Sequence, residues 1–123
     1  MLRKINKGSQ RVNVGYRLKK GVNMFDKYKE YIVTYDDKFN GGEQYLFKFE
    51  NNYGASVIRT NGSYGGTLQL WELAVIRWCT DSFDFLWTFS YANPIADDVI
   101  GFLSEEDVCK YLEDIKNLKK GVK

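Results

Sequence analysis

The side chains able to do chemistry in this chain are few, and they speak first through exclusion. None of the 123 residues is histidine. That removes Ser-His-Asp and Cys-His nucleophilic sites, the histidine-based zinc proteases and most transition-metal centres. Carboxylates, lysines, tyrosines and thiols remain as acid–base groups, but their spacing builds no recognisable site. Cys79 and Cys109 stand apart, outside any Cys-x-x-Cys motif, and each reads as a buried or half-buried free thiol. Asp36-Asp37 and Asp97-Asp98 sit beside turn signals without the spacing of an oxygen-ligand loop, so they read as solvated turns. The glycine-rich run Asn61-Gly62-Ser63-Tyr64-Gly65-Gly66 lacks the Gly-Lys-Ser/Thr ending of a phosphate loop and precedes a strand pattern, not a helix. It reads as a hairpin loop with Tyr64 at its tip, open to a partner. The expectation is a protein that is not an enzyme, with no catalytic residues, no metal and no cofactor.

The elements that must position these residues follow from periodicity. Tyr31, Val33 and Tyr35 alternate with Ile32 and Thr34, and Asp36–Glu43 contains an Asn-Gly-Gly turn signal. Tyr45, Phe47 and Phe49 alternate with Leu46, Lys48 and Glu50. Asn51-Asn52 predicts a two-residue turn into Tyr53–Arg59, where Ala55 and Val57 continue the inward face. Leu68–Trp78 predicts a central strand, apolar on both sides, and Phe83–Tyr91 a strand whose rings alternate with Asp84, Leu86, Thr88 and Ser90. These rings read as core in preference to a stacking surface for single-stranded nucleic acid. Leu46, Ile58, Leu70, Leu86 and Trp78 are left as apolar spots on the outer face.

The period then changes to 3.6. Ser104 is the helix N-cap, Asp107 can reach back to it, and Leu103 and Val108 form a staple across the cap. Val108, Leu112, Ile115 and Leu118 make the buried stripe, and Gly121 ends the helix. The fold class is therefore α+β: an antiparallel meander of about five strands covered by one C-terminal helix, with a basic N-terminal arm.

Charge divides the chain at residue 23. Residues 1–23 hold Arg3, Lys4, Lys7, Arg11, Arg17, Lys19 and Lys20 and no acid, while 24–123, a single α+β domain, keeps 11 bases against all 16 acids. The arm is a partly flexible extension, or pairs over Arg11–Leu18 as an edge strand. Its seven bases suit non-specific contact with nucleic acid through counterion release, or equally a solvated tail. No segment approaches the roughly 18 apolar residues of a membrane span, and the N-terminus has no apolar signal core, so a cytoplasmic protein without membrane contact is expected.

The stretch Tyr45–Leu118 resembles a group of small bacteriophage- and prophage-encoded proteins. The resemblance is carried by Phe49–Ile58 (with Asn52-Tyr53-Gly54-Ala55-Ser56-Val57), Leu70–Val75 (Leu-Trp-Glu-Leu-Ala-Val) and Ile95–Gly101 (with Asp97-Asp98-Val99-Ile100-Gly101). Similar members begin near Met24. The resemblance implies a phage accessory protein in the cytoplasm of a bacterial host. By analogy of setting it implies a non-catalytic inhibitor of a host protein, such as a CRISPR nuclease or another defence effector. The expected contact patch combines Tyr64 with Asp36, Asp37 and Glu43, whose carboxylates would meet arginines of a nuclease channel. Two other readings stay open: a nucleic-acid-binding accessory protein using the arm, and a small-ligand sponge, which requires a pocket.

Overall fold

Phe25, Tyr28 and Tyr31 recur at every third residue, the repeat of a 3-10 helix, and Met24–Tyr31 forms one. Such helices are usually shorter; here burial of one aromatic face sustains it. Phe25 lies edge-on to Tyr45, Phe47 and Trp71, and Tyr31 packs on Phe49. The computed structural model describes residues 24–79 and 86–119. The basic arm with its edge-strand expectation, Phe83, Phe85 and the Gly121 helix stop lie outside the described residues.

The sheet runs β1 (Ile32–Phe39), β2 (Gly42–Lys48), β3 (Tyr53–Arg59), β4 (Trp71–Trp78), β5 (Trp87–Phe89) and β6 (Ile100–Leu103). The order β1-β2-β3-β4-β5 is an antiparallel meander, and β6 also pairs with β4. The far edge of β4 is shared: β5 takes Ile76–Trp78 and β6 takes Trp71 and Leu73.

Several boundaries differ from the sequence reading. β1 continues through Asp36 and Asp37, and the turn is Asn40-Gly41, both at positive φ as a type I′ hairpin requires. The β2–β3 connection holds four residues, Phe49–Asn52, with Asn52 left-handed at φ 72° and Phe49 N–H bonded to Tyr53 O. β4 begins at Trp71, because Gly66–Leu68 form a 3-10 turn of their own. Cys79 is exposed, whereas Cys109 is buried.

One face of the sheet carries the main core: Tyr45, Phe47, Phe49, Val57, Trp71 and Leu73 lie under the 3-10 helix and the C-terminal helix α1 (Glu105–Lys116). The expected stripe is buried at Val108, Leu112 and Ile115, with Leu118 half-buried against it. Ser104 Oγ accepts from Asp107 N–H while the Asp107 carboxylate accepts from Ser104 N–H, a complete capping box. At the other end, Asn51 reaches up from the β2–β3 loop. Its Nδ2 lies 2.9 Å from Ile115 O and 3.0 Å from Leu118 O, meeting carbonyls that a helix end leaves unpaired.

Candidate partner-binding surface

The outer face, opposite the helix, has two halves. In one, Leu46, Ile76 and Trp78 form a second buried cluster with Val33 and Trp87 packed on it. Gly54 makes that closure possible: a Cβ there would lie 2.6 Å from the Trp78 indole nitrogen, which donates to Phe47 O at 2.9 Å.

The other half is open. Ser56 pairs with Ala74, and these small side chains floor a groove of about 770 Å³. Phe39 borders it at the β1 end, and Trp87, Phe89 and Tyr91 border it at the β5 end. The three β5-side rings form a ladder, Trp87–Phe89 edge-on at 5.2 Å and Phe89–Tyr91 tilted at 6.3 Å. Phe89 remains 46% and Tyr91 66% exposed. This corrects the expectation that the ring-bearing face of this strand is core. Phe89 pairs with Ile76 and Trp87 with Trp78, which turns their rings to the outer face.

The groove also has polar points. A cross-strand row on the outer face runs Asp36–Gln44–Ile58–Glu72. Gln44 Nε2 donates to Ser56 Oγ at 3.2 Å, and Glu72 Oε1 accepts from Tyr64 N–H at 2.8 Å. Among the described residues, Glu72 is the one charged residue lining the groove.

Beside Glu72 the sheet carries a bulge. Trp71 pairs with Leu103 and Leu73 with Ile100, so Gly101 and Phe102 together stand opposite Glu72. Phe102 is held left-handed at φ 58° with its ring 58% exposed, a conformation costly for a bulky residue. Its N–H bonds Tyr64 O at 3.1 Å, which ties the bulge to the glycine-rich loop. That loop is self-bonded: Ser63 Oγ accepts from Thr60 N–H and donates to Thr60 O, and Gly66 passes so close to Thr60 O that any Cβ would collide. Here the glycines serve the turn.

The structure disperses the four residues expected to form one patch. Tyr64 is 62% exposed beside the bulge. Asp36 and Asp37 are exposed on β1, the outermost strand among the described residues, with β2 and β3 between them and β4. Glu43 faces the core side, where Oε1 accepts from Tyr35 O–H at 2.7 Å and Oε2 from Arg59 at 2.7 Å. The Arg59 guanidinium in turn covers the Trp71 ring at 4.1 Å. Burial and the Glu43 carboxylate hold the Tyr35 phenol well above its usual pKa. Arg3, Lys4, Lys7, Arg11, Arg17, Lys19 and Lys20 lie outside the described residues.

Asp97 and Asp98 are exposed in a turn organised by Asn93, whose Oδ1 accepts from Ile95 and Ala96 N–H. Among the described residues no three His, Cys, Asp or Glu side chains gather as a metal site would require, and no helix is long and apolar enough to cross a membrane. Comparison with protein-family models, with curated proteins and with solved structures finds no match to the chain. What fold and site define is an α+β domain with one closed sheet face and one half-open, aromatic one.

Proposed function

We propose that this is a non-catalytic binding protein that docks on a protein of a bacterial host through its outer sheet face. Its resemblance to phage-encoded proteins directs the search to defence effectors, with CRISPR nucleases first, and to inhibition as the outcome. The observation that carries the binding reading is the open groove with Phe89 and Tyr91 at its edge. Large rings left exposed beside a concave apolar surface are the usual anchor of a protein interface.

The sign of the charge favours a protein over nucleic acid as the partner of this face. A stacking surface for single strands is set in a basic groove, whereas this one offers a carboxylate and, among the described residues, no base. A small-ligand reading draws support from the volume, which lies within the usual range for such sites.

The test compares the full chain with the Phe89→Ser/Tyr91→Ser variant in hosts carrying single defence systems. The wild type is expected to protect phage from one system and to capture its effector. The variant, melting at an unchanged temperature, should lose both. Absence of protection across the panel, together with no specific captured protein, would remove the reading. A ligand retained by the purified protein in native mass spectrometry would replace it with the small-ligand one.

A further inference from the structure

We propose that the groove receives an arginine side chain of the partner protein, its guanidinium on Glu72 and its stem and planar head along Tyr91 and Phe89. This rests on the reading of the groove as a partner surface, and it names the anchor. Among the described residues the lining supplies one negative charge, no positive charge, and rings at the edge. Glu72 spends Oε1 on the Tyr64 N–H, and among the described residues Oε2 has no partner. Ser90 N–H bonds Val75 O, which sets Tyr91 beside Ala74, two residues along β4 from Glu72. Diagonal neighbours of this kind lie about 7–8 Å apart, within the span of one arginine side chain.

Gln44 uses its amide nitrogen on Ser56, leaving its carbonyl oxygen as a further acceptor on the floor. Asp36, at the far end of the same cross-strand row, adds to the negative sign. A guanidinium fits this combination better than an ammonium. It is flat enough to stack on a ring, sheds water more readily, and offers forked donors to a carboxylate.

The experiment titrates isotope-labelled full-length protein with acetyl-Gly-Arg-Gly-amide and with its citrulline and lysine counterparts, following the Trp87 indole N–H and the Phe89 and Tyr91 rings by NMR. The arginine peptide should produce saturable shifts there. The citrulline and lysine peptides should bind about tenfold more weakly. Glu72→Gln keeps an acceptor for the Tyr64 N–H, so it should leave the melting temperature unchanged while reducing arginine binding to the citrulline level.

Equal binding of arginine and citrulline peptides, or an unaffected Glu72→Gln variant, overturns the proposal. If partner capture still fails in Phe89→Ser/Tyr91→Ser, the groove stands as a partner surface and only the arginine assignment falls. Movement of the groove resonances in Arg11→Gln or Arg17→Gln with no peptide added would make the chain's own arm the occupant, and would also overturn it.

Discussion

Glu43 illustrates at the residue scale why chemistry-bearing side chains in a sequence need not be a site. Its carboxylate accepts from Tyr35 and Arg59 at once, and Arg59 also covers Trp71. Glu43→Leu removes the acceptor from both donors while they stay half-buried. We expect a loss of about 2–3 kcal/mol in urea unfolding, with a smaller further loss on adding Arg59→Leu, because the pair acts as a unit. Tyr35 carries a pH signature of the same network. Burial first, and then the hydrogen bond to Glu43, raise its folded pKa above the ordinary 10.0, so the neutral phenol is the form that the fold favours. That stabilisation is complete below about pH 10 and is lost as the pH rises from there toward the raised folded value. Tyr35→Phe should therefore flatten the alkaline fall in melting temperature; an alkaline limb identical to the wild type would contradict the assignment. None of this was legible in the sequence, because Glu43 and Arg59 meet only through the β2–β3 register. Glu72 was missed for a related reason: its place beside the groove depends on which residues of β3 and β5 flank β4.

The elements show where local signals suffice. The cap, the staple and the stripe of α1 all lie within a few residues of one another. The cap is realised as the sequence reading expected, Leu103 and Val108 are both buried, and the stripe holds at Val108, Leu112 and Ile115 while Leu118 falls beyond the helix end. Val108→Asp or Leu112→Asp puts a charge under the helix and should abolish cooperative melting, whereas Ser104→Ala should cost only about 1 kcal/mol. β6 escaped notice because its four residues are interrupted by a bulge, so no alternation survives to be read. The facing of β5 was misjudged for a different reason. Alternation reveals that a strand has two faces, but only pairing with Ile76 and Trp78 reveals which is inward. The bulge yields a prediction of its own. Phe102→Gly exchanges a strained left-handed phenylalanine for the residue best suited to that conformation, and should raise stability by about 1 kcal/mol. If Phe102 contributes to the partner surface, the same variant will melt higher and bind less well.

Across the whole molecule, the main core and the proposed partner surface occupy opposite faces of one sheet, the second face also holding the smaller Leu46, Ile76 and Trp78 cluster. β4 is paired along both edges and contributes to the clusters on both faces. Its amides should be the slowest in the sheet to exchange with deuterium, and those of the three-residue β5 among the fastest. The helix is fastened at both ends, by the capping box and by Asn51, so the closed face gains little from anything that settles on the open one. Such separation bears on how the protein can change over generations. Residues 56, 58, 74, 89 and 91 lie outside the cluster packed beneath α1, and free-energy effects at sites that share no contacts add nearly independently. If the groove is the partner surface, a lineage facing a shifting target could thus rewrite its preference many times on an inherited scaffold, each revision leaving the fold's margin against unfolding almost intact.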